Sequence, residues 1–161
     1  MNATRNSQGI SILEVVIAAA IILILTTAIA GAWRSYIVIT RISNERTQAA
    51  LLLEEASDAL QFIRDKGWGS NFSTIMLDVP YYLKWNSGTY ILDTTAPALI
   101  QNIYTRKIVF SDVTRDGQDN ISNSGIVDYD TKKVLISIYT NQTPPEVSIQ
   151  AEMLIHDVYN N

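Results

Sequence analysis

The feature that most constrains this chain is an uncharged apolar run from Val15 to Trp33. As a helix its roughly 19 residues would be about 28 Å long, close to the thickness of a bilayer core. A secretory signal peptide has a shorter apolar region, of about 7–15 residues, followed by a small-residue cleavage site. Here the run is longer, and Gly9 stands before it rather than after it. Trp33 and Tyr36 fall where an interfacial aromatic belt belongs. The run is therefore read as a membrane-spanning helix.

The first nine residues, Met1 to Gly9, are polar and carry one charged side chain, Arg5; Ile10-Ser11-Ile12-Leu13-Glu14 follows. Glu14 is the anomaly, because a carboxylate at the edge of an apolar span costs a few kcal/mol unless it snorkels or finds a partner. It either marks the cytoplasmic edge or answers a charge. Cleavage after Gly9 would leave Ile10 with a positive α-amino group, and Ile10 and Glu14, four residues apart, share a helix face. The carboxylate can then pair with an amine, its own or a neighbour's.

Gly9, Ile10 and Glu14 together resemble the prepilin cleavage signature shared by type IV pilins and the pseudopilins of type II secretion. That signature is a short polar leader ending in Gly, an apolar first mature residue, and Glu at the fifth mature position. The resemblance implies cleavage between Gly9 and Ile10 by a membrane prepilin peptidase, which also methylates the new amine of Ile10. It implies that Glu14 guides assembly by neutralising the N-terminal amine of the preceding subunit. Other pilin or pseudopilin subunits, the peptidase, an inner-membrane assembly platform and, before assembly, the lipid bilayer are the implied partners. Arg34 and Arg41 follow the span and only Arg5 and the amino terminus precede it, so charge counting alone favours the opposite orientation. The cleavage signature requires the leader in the cytoplasm, and is preferred.

Apolar residues recur beyond the span at Ile42, Ala49, Leu53, Ala56, Leu60 and Ile63, a narrow stripe at helical period. Lys66-Gly67 is a fitting stop, so one helix is expected from about Ser11 to Lys66. A coiled coil would use such a stripe too, but docking on the following domain is the preferred reading. After Trp68 the pattern turns to strands: Tyr81–Trp85 and Thr89–Asp93 around Asn86-Ser87-Gly88, then Ile103–Val113, Lys133–Thr140 and Glu146–Ile155. The last alternates cleanly, with Val147, Ile149, Ala151, Met153 and Ile155 on the face expected to be buried. The expected class is α+β. A long N-terminal helix packs on an antiparallel sheet of four or five strands, the architecture the pilin resemblance implies. The organisation is leader 1–9, span 10–33, amphipathic half 34–67 and sheet domain 68–161.

From Gly67 onward six Lys/Arg face ten Asp/Glu, so nucleic acid is not an expected partner. Cysteine is absent, which excludes disulfides, thiolate metal sites and a cysteine nucleophile. Asp112, Asp116, Asp119, Asp128 and Asp130 are read as one acidic loop, near a Gly, and oxygen ligands so spaced suit Ca²⁺. Some pseudopilins bind calcium where pilins have a disulfide. The competing reading is a solvated turn, since Asp-Gly and Asn-Ser clusters build long turns. His156 stands alone, and no nucleophile elbow, P-loop or dinucleotide turn is present. No enzyme is expected.

The expectation is a non-catalytic, minor structural subunit of a type IV pilus-like or pseudopilus fibre. It sits first in the bacterial cytoplasmic membrane with its N-terminus inside, then in a fibre at the surface or across the periplasm. Glu14 argues against the pseudopilus tip subunit, which can lack it. The alternatives are a secretion pseudopilin, a DNA-uptake subunit, and an uncleaved single-pass membrane-anchored binding domain.

Overall fold

The computed structural model describes residues 11–141 and 147–158; Gly9 and Ile10 lie outside them. Its elements are α1 (Ile12–Asp65), α2 (Trp68–Asn71), β1 (Pro80–Asn86), β2 (Thr89–Asp93), β3 (Tyr104–Arg115), β4 (Ile121–Ser122), β5 (Ile126–Thr140) and β6 (Ser148–His156). The architecture is α+β, a long apolar N-terminal helix with a six-stranded antiparallel sheet.

Ser11 starts α1. Its Oγ accepts the Leu13 N–H at 3.3 Å, and its carbonyl accepts from Glu14 N at 2.9 Å. Glu14 is thus the third residue after a Ser cap, where a carboxylate also gains from the helix dipole. The other end closes at the expected Lys66-Gly67. Gly67 N–H donates to Arg64 O at 3.0 Å, and Asn71 Nδ2 donates to the carbonyls of Ile63 (3.1 Å) and Gly67 (2.8 Å). These bonds satisfy carbonyls that a helix end leaves orphaned. One turn of helix, α2, comes before the sheet, in a stretch to which the sequence assigned no element. It stacks Trp68 on Phe72 at 5.0 Å and buries both.

The chain divides into two compact units between Arg41 and Ile42. In the first, every described residue from 11 to 39 is exposed. In the second, Ala49, Ala56, Ala59, Leu60 and Ile63 of α1 enter one core with Tyr104, Ile108 and Phe110 of β3 and Val134, Ile136 and Ile138 of β5. Four of the six residues of the expected stripe are buried, and Ile42 and Leu53 are partly so. Three alanines at the contact let the helix backbone lie close to the sheet.

The strands run in the order β2-β1-β3-β5-β6, with β4 paired to the end of β3. Asn86 pairs with Thr89, so the β1–β2 turn is Ser87-Gly88, both at positive φ (49° and 85°). That is the two-residue hairpin geometry whose twist matches the strands. Along β6 and the residue before it the expected face is the inner one, with Val147 and Ile155 buried and Ser148, Gln150, Glu152 and Leu154 exposed. Gly125 has φ +154°, and a Cβ there would lie 2.0 Å from Arg115 O. Only glycine allows β5 to start that close to β3.

The acidic loop needs correction. Asp112 lies inside β3, and Asp128 and Asp130 lie inside β5, which begins at Ile126 rather than Lys133. The pairing jumps from Asp112↔Lys132 to Val113↔Asp128, so Tyr129, Asp130 and Thr131 have no partner in β3, although Thr131 still pairs with His156 of β6. Only Asp116 and Asp119 belong to the turn. A bulge permits the polar run Asp128-Tyr129-Asp130 to continue a strand without one face having to be apolar.

Candidate functional site

The apolar surface of residues 12–39 is one candidate. Ile12, Leu13, Ile22, Leu23, Ile24 and Ile29 are each more than half exposed. A helix apolar on all sides is stable in lipid or among other apolar helices, not in water. Its hydroxyls are spent internally. Thr26 Oγ1 donates to Ile22 O and Leu23 O at 3.0 Å, Thr27 Oγ1 to Leu23 O at 3.0 Å and Ile24 O at 2.9 Å, and Ser35 Oγ to Gly31 O at 3.2 Å. Glu14 is therefore the one ionisable side chain from Ile12 to Trp33, exposed and without an ion pair to any described residue. The helix is long and apolar enough to cross a membrane. Gly9 and Ile10, the other two residues of the cleavage signature, lie outside the described residues.

No family model, curated protein or solved structure matches this chain.

The five Asp residues considered for calcium are dispersed into separate contacts. Asp112 accepts from Lys132 Nζ at 2.6 Å, and Asp128 from Arg115 Nε at 2.6 Å. Burial pushes the Asp128 carboxyl up, but bonds from Thr131, Arg115 and the Asp130 N–H overcome this and leave it below its ordinary value. Asp116 accepts the N–H groups of Asn120 and Gln118, both at 2.9 Å, which lowers its carboxyl in turn. Asp119 is exposed, 3.6 Å from Arg115 Nε. A groove of about 610 Å³ has Asp116, Asp119, Asp128, Asp130 and His156 among its walls. Among the described residues no three Asp, Glu or His side chains are grouped to hold a metal. Calcium needs six to eight oxygens. Three of these carboxylates, Asp112, Asp119 and Asp128, face Lys or Arg in this arrangement.

The sequence reading missed a polar network inside the second unit. Arg106, 8% exposed, donates from Nη1 to Glu55 Oε2 at 2.9 Å and to Leu52 O at 3.3 Å. Tyr90 donates its hydroxyl to Glu55 Oε1 at 2.6 Å, a bond that raises the phenol above its ordinary value. Glu55 thus ties α1 to both β2 and β3. In the sequence Glu54 and Glu55 stand side by side. The signal that separates the two is phase: Glu55 adjoins the buried Ala56 and lies four residues before Ala59, whereas Glu54 points to solvent.

Proposed function

We propose that this protein is a prepilin-type structural subunit, inserted in a membrane by its N-terminal helix, cut between Gly9 and Ile10, and assembled into a fibre through that helix. The observation that carries the proposal is Glu14: one carboxylate, without an ionic partner among the described residues, in the first turn of a helix that is otherwise uncharged as far as Trp33 and exposed over that stretch. A lone charge in such a place is expensive, and it is retained where it has a function.

Cleavage supplies what Glu14 lacks. The new amine of Ile10 is a cation, and in an apolar bundle an amine and a carboxylate attract far more strongly than in water. Pairing across two subunits neutralises both charges and fixes one helix against the next in a single register. Apolar contact between the surfaces from Val15 to Ala32 then replaces lipid by protein. The sheet domain faces outward, and its charge sets the fibre surface. Whether the fibre is a surface pilus or a secretion pseudopilus, the chemistry of this step is the same.

The test has two parts. Protein recovered from cells carrying a prepilin peptidase should begin at Ile10, by intact mass and terminal sequencing. Glu14→Val should still be cut and inserted, but should no longer enter fibres. A chain still beginning at Met1 would replace this proposal with a membrane-anchored domain that is never assembled. Normal fibres built from the Glu14→Val chain would remove the register role.

A further inference from the structure

Strand β1 joins the rest of the sheet through its first two residues. Pro80 pairs with Val109 and Tyr81 with Ile108, and there the β1–β3 ladder ends. Further along that edge of β3 the place is taken by Ile100, which exchanges backbone hydrogen bonds with Tyr104 at 2.8 and 2.9 Å. From Tyr82 to Asn86, β1 therefore pairs with β2 alone. Leu83 is the one buried residue from 82 to 93, and the connection that follows, residues 94–98, is exposed throughout. Two polar contacts hold this arm to α1 and the turn that ends it. Tyr90 donates its hydroxyl to Glu55 Oε1 at 2.6 Å, and Lys66 Nζ donates to Thr89 Oγ1 at 2.6 Å. Leu83, Tyr90 and Leu92 add apolar contact with the core.

From these contacts we infer that the β1–β2 hairpin is a strap over α1 that opens as one unit, hinged at Tyr82 and at residues 94–98, while α1, β3, β5 and β6 stay folded. A segment with little buried surface and few ties opens at a lower free energy than the core beneath it. Strand β3 is the contrast, paired with β5 along its whole length and with Tyr104, Ile108 and Phe110 fully buried. Glu55 makes the opening separable. When Tyr90 leaves, the carboxylate still holds Arg106 Nη1 at 2.9 Å, so no buried charge is stranded and the joint between helix and sheet survives. Lys66, released from Thr89, is exposed and passes to water. Two strands alone are marginally stable at best, so the arm melts as it leaves α1. Opening uncovers α1 around Ala59, which is 3% exposed and shares a recess with Trp85 and Tyr90 of the arm.

The test is amide hydrogen exchange of the full chain in maltoside micelles, read by mass spectrometry on peptides spanning 82–93, 104–113 and 133–140. Corrected for intrinsic rates, the arm should exchange at least about tenfold faster than the β3 and β5 peptides. Tyr90→Phe should speed the arm by about tenfold more and leave β3 and β5 unchanged. The chain has no cysteine, so Ala59→Cys places a single thiol beneath the arm. Its reaction with a small thiol reagent should quicken by a similar factor, about tenfold, when Tyr90→Phe is added. Exchange of the arm in step with β3 and β5 would overturn the inference and make the hairpin part of the global unfolding unit. So would a Tyr90→Phe chain in which all three peptides speed up alike, or in which the arm does not change. Rapid exchange at residues 86–89 alone, with 82–85 as protected as β3, would reduce the strap to a fraying turn. A thiol at position 59 indifferent to Tyr90→Phe would overturn the covering of α1.

Discussion

The two stretches of α1 on either side of Arg41 share one backbone geometry and an alanine-rich composition, yet they make opposite demands. Upstream, every described residue to Ile39 is exposed, and apolar side chains point in all directions. Downstream, burial is confined to a stripe through Ala49, Ala56, Leu60 and Ile63, while Glu54, Asp58 and Gln61 stay in water. Helix propensity is satisfied in both and distinguishes nothing. What differs is the angular width of the apolar surface. A stripe can be covered by one sheet from the same chain, but a full cylinder needs a surrounding that is apolar on all sides.

The sharpest way to break this comparison is to make one truncation in each stretch. Leu60 is fully buried in the core, so Leu60→Ala should cost the sheet domain about 3 kcal/mol. Leu23 is 66% exposed, and Leu23→Ala should leave the domain's unfolding unchanged within about 0.5 kcal/mol. Chemical denaturation of both variants in micelles, followed by the near-ultraviolet signal of Trp68, measures the difference. An equal loss from the two would mean that the stretches do not unfold independently.

The acids give a smaller contrast. Glu55→Gln keeps the shape of the side chain but removes the charge that faces Arg106, whose Nε is buried without a partner among the described residues. Glu55 is 40% exposed, so water screens part of the loss, and about 1–2 kcal/mol is expected. Glu14→Gln should not change domain stability, because Glu14 belongs to the other unit, and its effect should be seen in assembly alone. Denaturation midpoints of the two variants, compared with fibre yield, separate these roles. Loss of domain stability in the Glu14 variant would contradict the division.

Much of this was legible because it is periodic. The apolar run, the stripe after Arg41, the Lys66-Gly67 stop, the Ser87-Gly88 turn and the alternation from Val147 to Ile155 each follow from local spacing. The failures share a cause, which is that tertiary pairing overrode local composition. The Trp68–Asn71 turn contains two poor helix formers, Gly69 and Asn71, and is helical because Trp68 and Phe72 are drawn into the core. Strand β5 begins among Asp128, Tyr129 and Asp130 because β3 offers it a partner and a bulge takes up the extra residues. Nothing local marks Arg106 as the partner of Glu55, 51 positions away.

The smallest effect expected is on the acid side, and it sharpens the comparison because the ion pairs involved lie downstream of Ile42. Lys84 donates to Asp93 at 2.7 Å, and the Thr95 N–H donates at 2.7 Å, holding the Asp93 carboxyl at about 2 against an ordinary 3.8. The folded state therefore binds this proton less readily than the unfolded chain does. Its contribution is complete above pH 3.8 and is lost as pH falls toward 2. Asp128, also lowered, adds to the decline below the ordinary carboxylate range. Melts of the domain should fall in temperature across this window, and Asp93→Asn should fall less steeply because it has no proton to gain. Since Asp93 is exposed, the change should be a modest one in slope, with the melting temperature at neutral pH almost unaffected. A variant whose acid limb overlays that of the parent would show that the Lys84–Asp93 pair, though short, is matched by equal interactions in the unfolded chain.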